Sequence, residues 1–337
     1  MNSMERVIYA LEGKVPDRVP HFEFEIDSTI IKEITNGGDI YDFVEKLDLD
    51  GIALRVNQKK EKIDENTFID ERGLIVKKTT QDYLEPTNIV IKDEKDLKKF
   101  EFPDPYTAHR LDNLKKAIKR FKGKKAIVSF LRDGWSEARE LHGYAETLID
   151  IMDNPMLVKG IIEKAAEYYA ELGKISVKLG AEIAFSADDF AGNQGLLMSP
   201  SQFKSIIYPS LKWLYKKWHE YGLYVIKHSD GNLYPIIDLL IDAGIDCLHP
   251  IDPIAGMDLE KVKKDYGRKI CIIGNVNCAG SLVYGSREDV INEVKNCIKV
   301  AGPGGGYILS SSNSIPKSVK VENYLAMVEA VHKFGIY

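Results

Sequence analysis

Residues 224–232 read Tyr224-Val-Ile-Lys-His-Ser-Asp-Gly-Asn232. An apolar run suited to a buried strand, Tyr224 to Ile226, passes directly into polar groups that have no place in an apolar core. His228 and Asp230 stand at alternate positions. If the extended backbone continues to Asp230, both side chains fall on one face, and Gly231 then lets the chain turn away. An imidazole beside a carboxylate can bind a metal, move a proton, or form a buried hydrogen-bonded pair, and this stretch alone leaves all three open. The fold is decided by repetition. The chain returns again and again to a short apolar run that ends in polar residues and is followed by a helical stretch.

Working outward from 224–232, strands are read at Val19 to Phe24, Gly51 to Val56, Ala126 to Leu131, Ile183 to Ala187, Tyr224 to His228, Asp246 to His249, Ile270 to Gly274 and Gly306 to Ser310. Helical patterns lie between them at about 39–47, 111–121, 137–152, 155–179, 199–222, 233–243, 258–266, 286–300 and 321–334. Asn154-Pro155 suits a cap and first residue, and Ser199-Pro200 opens a helix that Gly222 closes. Eight strands separated by helical crossovers predict a (β/α)8 TIM barrel, one domain over 1–337. An open doubly wound sheet is the alternative. The strand count and the lack of an opening Gly-x-Gly-x-x-Gly favour the barrel. The rhythm breaks at 60–92. There Phe68-Ile-Asp-Glu-Arg-Gly-Leu-Ile-Val76 predicts a β-hairpin turning at Gly73, with a further strand from Tyr83 to Ile91. This segment is expected to be an antiparallel insertion over one end of the domain.

Composition narrows the function classes. Forty-six Lys and Arg against 51 Asp and Glu leave a net charge of −5, with no basic stripe to bind nucleic acid. No apolar run approaches the roughly 18 residues of a membrane span, and Met1 to Arg6 leads straight into an amphipathic stretch, so a soluble cytoplasmic protein is expected. The four cysteines form no Cys-x-x-Cys pair and read as reduced, mostly buried thiols. Gly302-Pro-Gly-Gly-Gly306 precedes a strand and lacks a following Gly-Lys-Ser/Thr, so it reads as a flexible turn and not a phosphate loop. Tyr208, Trp213, Tyr215 and Trp218 read as helix packing.

Polar residues gather where the strands end: Glu23/Glu25, Arg55, Arg132/Asp133, Asp188/Asp189, His228/Asp230, His249/Asp252, Asn275/Asn277 and Ser311/Asn313. In a closed barrel these ends converge on one mouth, where barrel enzymes place their chemistry. So many carboxylates and two imidazoles around one cavity point to an enzyme or a small-molecule site. His228, Asp230, Asp188 and Asp189 are the candidate catalytic residues. One of the adjacent aspartates is expected to have a raised pKa through like-charge repulsion. Glu25, Arg55, Arg132, His249, Asn275, Asn277 and Asn313 are the candidate substrate-binding residues. Acidity at the mouth should disfavour polyanions.

Several stretches resemble the uroporphyrinogen decarboxylase superfamily: Gly180-Ala-Glu-Ile-Ala-Phe-Ser-Ala-Asp-Asp189, Ala191-Gly192, Leu197-Met-Ser-Pro200 with Phe203 and Pro209, Gly274-Asn-Val-Asn277, Gly304-Gly-Gly-Tyr-Ile-Leu309 and Val321-Glu-Asn-Tyr-Leu-Ala326. The resemblance covers essentially the whole chain, is strongest from about residue 126 onward, and implies a (β/α)8 barrel. True decarboxylases of that superfamily carry an N-terminal Arg-Gln-Ala-Gly-Arg-Tyr motif whose arginines hold the substrate's carboxylates. The matching region here is His21-Phe-Glu-Phe-Glu-Ile-Asp27, acidic where cations are needed. The other branch comprises corrinoid- and thiol-linked methyltransferases, some of which bind zinc through a His-x-Cys pair after the fifth strand and a Cys after the eighth. Here the pair reads His228-Ser229-Asp230, and the later position reads Ser312-Asn313. Aspartate binds zinc, whereas asparagine is a poor ligand. A harder His/Asp site remains, with His228, Asp230 and Cys278 as the Zn2+ set and Glu25 and His249 also in reach; an acid/base pair without metal is the alternative.

The resemblance therefore implies a methyltransferase moving a methyl group between a small-molecule methyl donor and a corrinoid protein or thiol acceptor. No Asp-x-His-x-x-Gly corrinoid motif is evident in the chain, so the corrinoid is expected on a partner protein. A metal-independent decarboxylase of a porphyrinogen or smaller carboxylate is the alternative.

Overall fold

The apolar runs form strands where expected. The computed structural model describes residues 1–79 and 84–337. Seven strands make one parallel sheet: β1 (Gly51–Arg55), β2 (Ala126–Leu131), β3 (Ile183–Ala187), β4 (Tyr224–His228), β5 (Cys247–His249), β6 (Cys271–Val276) and β7 (Tyr307–Ser311). They neighbour one another in chain order, the arrangement of a curled TIM-like α/β fold. β2 and β6 are buried at every position, as parallel strands covered on both faces must be. In register, His228 stands opposite Ala187 of β3 and opposite His249 of β5.

The expected first strand at 19–24 is not a regular strand, and this corrects the count of eight. Segment 19–26 nevertheless hydrogen-bonds to both edge strands. Leu309 N donates to Pro20 O (2.9 Å) on the β7 side, and Asp50 N donates to His21 O (2.8 Å) on the β1 side. Pro20 has no N–H to offer a ladder. Side-chain carboxylates take other amides: His21 N donates to Asp50 Oδ2 at 2.8 Å, and Ser311 N donates to both Glu23 oxygens at 3.0 and 3.2 Å. Carboxylate pairing here takes the place of part of a backbone ladder, of which only isolated bridges such as His21 to Leu309 and Ile26 to Ile315 form.

The insertion is a separate four-stranded antiparallel sheet of Lys60–Lys62, Thr67–Asp70, Ile75–Lys78 and Leu84–Pro86, with Gly73 at φ 81 in the central turn. Tyr83 lies outside the described residues, and the last strand is shorter than expected. The single helix expected at 137–152 is two, Trp135–Leu141 and Tyr144–Asp153, parted at Gly143 with φ 99. Pro155–Leu179 is helical as expected, but Asn154 does not cap it; its amide reaches Glu94 Oε1 at 2.8 Å. The 199–222 helix opens with a Ser199/Gln202 capping box and passes through a π-helical stretch, Phe203–Ile207, just before Pro209. A proline cannot donate to the regular ladder, and the wider turn accommodates it. Tyr215 and Trp218 on this helix are fully buried packing residues. Among the described residues no helix is long and apolar enough to cross a membrane.

Asp50 is fully buried and accepts from Arg6 Nη1 (2.6 Å) and from Arg18 Nη1 and Nη2 (2.8 and 3.0 Å) as well as from His21 N. It pins the first helix, the 19–26 segment and β1 to one point. Asp50→Ala leaves two arginines without their shared counter-charge, so unfolding in urea should show a loss of about 3–5 kcal/mol. A loss below about 1 kcal/mol would show that the segment is held by other contacts.

Candidate functional site

The strands' C-terminal ends open into a cavity of about 220 Å³. Its polar end is built from Asp189, His228, Asp230, His249 and Asn313; Phe24, Phe130 and Phe185 form an aromatic wall, and Glu25, Arg55 and Arg132 stand on the other side. Phe24 stacks on Phe185 with centroids 3.7 Å apart, and the Arg55 guanidinium lies 3.8 Å over the Phe130 ring. Strand alternation decides what reaches this space. Phe130 and Arg132, Ala187 and Asp189, His228 and Asp230 face inward. Their neighbours Asp133, Ser186, Asp188 and Lys227 point into the layer between sheet and helices.

At the polar end, Asp189, His228 and Asp230 each offer one ligand atom, all within 4.8 Å of one another. His228 Nε2 is 3.4 Å from Asp189 Oδ1 and 3.6 Å from Asp230 Oδ1. Asp189 Oδ1 accepts from Asp230 N at 2.9 Å, and Asp230 Oδ2 accepts from Asn313 Nδ2 at 2.7 Å. Asp230 Oδ1 is buried with no hydrogen-bond partner. Burial pushes the Asp230 carboxyl up from its ordinary range, against the opposing pull of His228. On the far side of its ring, His228 Nδ1 meets His249 Nδ1 at 2.7 Å, and His249 Nε2 lies 3.3 Å from Ser311 O. Burial, then the neighbouring His228, holds His249 well below the usual imidazole range, so it is neutral. Gly231 ends the strand at φ 89, where a Cβ would lie 2.5 Å from Ala191 C. An unpartnered carboxylate oxygen, a second carboxylate and an imidazole nitrogen converging on one gap suit a divalent cation with nitrogen and oxygen ligands.

The expected residues are sorted by this geometry. Asp189 takes the place as third member of the cluster that Cys278 was expected to fill. Cys278 faces a neighbouring cavity of about 360 Å³ that meets the first at Asp230 and Asn313. Its thiol accepts from Ser312 Oγ at 3.4 Å, and burial pushes its pKa up to about 11. Glu25 forms a two-pronged pair with Arg55 at 2.9 and 2.6 Å. Arg132 lines the cavity while bonded to Glu140 at 2.8 Å and Glu137 at 3.3 Å. Asn313 is a donor that orients Asp230. Asn275 and Asn277 do not reach the cavity. The first bonds Ile251 O (3.1 Å) and Cys297, and the second caps the turn at Ala279 N (3.1 Å). Asp252 accepts from Ile254 N in its own loop and from Gly231 N in the loop after β4, and Glu23 is committed to Ser311. The phenylalanine wall was not anticipated. Phe22 and Phe24 alternate with Glu23 and Glu25, a signal read for its acids alone.

The family profile described as Uroporphyrinogen decarboxylase (URO-D) matches residues 73–334. A uroporphyrinogen decarboxylase of Mannheimia succiniciproducens is 24% identical over 195 residues, 54% of this chain and 49% of that protein. One from Pseudomonas fluorescens is 21% identical over 258 residues, 71% of this chain and 68% of that protein. A methylated-thiol–coenzyme M methyltransferase of Methanosarcina mazei is 24% identical over 226 residues, 67% of this chain and 57% of that protein. The matched stretch thus spans about half to two thirds of these relatives. Among solved structures, a methyltransferase from Methanosarcina mazei superposes with a TM-score of 0.80 at 19% identity over 99% of both chains.

Asp188, an expected catalytic residue, sits behind the cavity wall in a fully buried cluster. Lys227 Nζ donates to Asp133 Oδ2 and, at 2.9 Å, to Asp188 O; Ser186 Oγ donates to Asp133 at 2.7 Å. Burial first, and the adjacent Asp133 second, push the Asp188 carboxyl up to about 7. The folded protein therefore keeps a proton between about pH 4 and 7 that the unfolded chain has released, so this group weakens the fold as pH rises through that window. Asp188→Asn removes the ionisation at nearly constant shape. Its unfolding free energy, measured in urea at several pH values, should gain on wild type by up to about 1.4 kcal/mol per pH unit between pH 4 and 7. A pH-independent difference would mean that Asp188 is ionised in the folded state.

Proposed function

The chain belongs to the uroporphyrinogen decarboxylase family, and on that premise we propose that it is a methyltransferase moving a methyl group between a small methylated substrate and an acceptor, either a corrinoid carried by a partner protein or a thiol. The observation that carries this reading is the Asp189–His228–Asp230 cluster, with its unpartnered carboxylate oxygen, lining a small cavity that three phenylalanines also line. The cavity's arginines support it from the other side. Arg55 is paired with Glu25, and Arg132 with Glu137 and Glu140, so among the described residues that line the cavity neither arginine is left uncommitted for a polycarboxylate tetrapyrrole.

A methyl ether, amine or thioether is a poor electrophile because its leaving group departs as an anion, and attack is eased by a Lewis acid or proton donor at the heteroatom. Asp189, His228 and Asp230 are the residues that would hold a divalent ion, Zn2+ or another, which when bound would supply that Lewis acidity. The chain's own residues do the rest. Asn313 fixes the Asp230 carboxylate, and the Asp230 amide fixes Asp189. Phe24, Phe130 and Phe185 pack the substrate's apolar part and exclude water. Arg55, half exposed at the cavity edge, is held by Glu25 against the Phe130 ring and completes the aromatic wall. A decarboxylase acting on a smaller carboxylate is the second reading, favoured by the names of several relatives and by the capacity of His228 with Asp189 and Asp230 to transfer a proton.

Protein purified without chelators should carry close to one divalent ion per chain, and His228→Ala should lower that content by about 10-fold or more. With reduced cobalamin as acceptor and a panel of methyl ethers, methylamines and thioethers, loss of the Co(I) absorbance should be about 100-fold or more slower in His228→Ala than in wild type. Carbon dioxide release from a carboxylate substrate, with no methyl transfer from any donor, would replace this reading with the decarboxylase.

A further inference from the structure

We propose that His249 is a positioning residue that holds His228 as its Nδ1–H tautomer, so that His228 Nε2 presents a bare lone pair to the gap between Asp189 and Asp230. The functional meaning of this inference rests on the metal reading above, but the tautomer itself can be tested without metal.

Ser311 O is a backbone carbonyl and only accepts, so His249 Nε2, 3.3 Å away, carries a hydrogen. His249 is buried against Phe24 and Phe185, with ring centroids at 4.7 and 5.8 Å, and no carboxylate bonds to it. A charged imidazole is disfavoured there, and a neutral one protonated at Nε2 has its lone pair at Nδ1. The Nδ1–Nδ1 contact of 2.7 Å needs one proton between the rings, and His228 must supply it. Neutral His228 is then bare at Nε2. That lone pair looks at two carboxylate oxygens, 3.4 and 3.6 Å away, one of them without any other partner. Such a face is repulsive until a cation occupies it, and a histidine ligand oriented through its other nitrogen is the usual arrangement at metal sites. The Ser311 peptide is itself held, because its N–H and hydroxyl both donate to the buried Glu23 carboxylate.

The test reads ring nitrogens directly. Chelator-treated protein with 15N-labelled histidine, at about pH 8 where an unperturbed imidazole is neutral, is examined by two-bond proton–nitrogen correlation, with His228 assigned by its loss in His228→Gln. The expected wild-type pattern is protonated Nδ1 and bare Nε2; protonated Nε2 overturns the proposal. His249→Asn places an amide oxygen near the Nδ1 position and should keep the tautomer, whereas His249→Phe removes the acceptor and should release His228 to the Nε2–H form. A Phe variant that retains the Nδ1–H form also overturns it. Titration with Co2+, followed by visible absorption, should show affinity about 10–100-fold weaker in His249→Phe and near wild type in His249→Asn; equal affinity in the Phe variant and wild type overturns the positioning role. Wild type that binds no Co2+ while keeping bare Nε2 would sink the metal reading and leave the tautomer assignment supported.

Discussion

Two buried carboxylates, Asp50 and Glu23, bind backbone amides that a neighbouring strand would normally take. The consequences spread through the molecule. Segment 19–26 lies against both edges of the parallel sheet without a ladder of its own, and it brings Phe24 and Glu25 to the cavity. Glu23 also holds the Ser311 peptide, whose carbonyl faces His249, which in turn faces His228. The anchoring of segment 19–26 and the electrostatics of the site therefore share residues. Buried charge is tolerated because each carboxylate has several donors, the condition under which such groups stop being a liability.

The second organising constraint is strand alternation. β2, β3 and β4 each place charged residues, within or just after the strand, on opposite faces of the sheet. Arg132, Asp189 and Asp230 go to the cavity, while Asp133, Asp188 and Lys227 go to the helical layer. The outward set neutralises itself through Lys227. The inward set does not, since Asp189 and Asp230 face each other across one imidazole nitrogen. Uncompensated like charge is costly in a structural site and useful in a cation-binding or proton-transfer site.

The family comparison sharpens this contrast. The chain shares its fold with a Methanosarcina methyltransferase along its whole length. Where related zinc methyltransferases were expected to have cysteines, this chain has Asp230 and Asn313. These two are bonded to each other, with the amide orienting the carboxylate. The thiol nearest the mouth, Cys278, is turned to a separate cavity. The side chains gathered at this point, two carboxylates and an imidazole, are harder donors than a Cys/His set would offer.

The sequence alone determined the class of fold, because buried parallel strands alternating with amphipathic helices leave a strong local pattern, and it placed His228, Asp230 and Asp189 at strand ends. It also located the antiparallel insertion through Gly73 and its flanking β-type runs. It did not distinguish Asp188 from Asp189, since a strand covered on both faces carries no hydrophobic alternation to show which side is which. Nor did it show that Glu23 and Asp50 replace a ladder, that Asn275 turns away, or that His249 backs His228. Those are contacts between residues tens to hundreds of positions apart. Only the register of neighbouring strands, set by packing across the whole sheet, decides which side chains point into the cavity and which lone pair meets which proton.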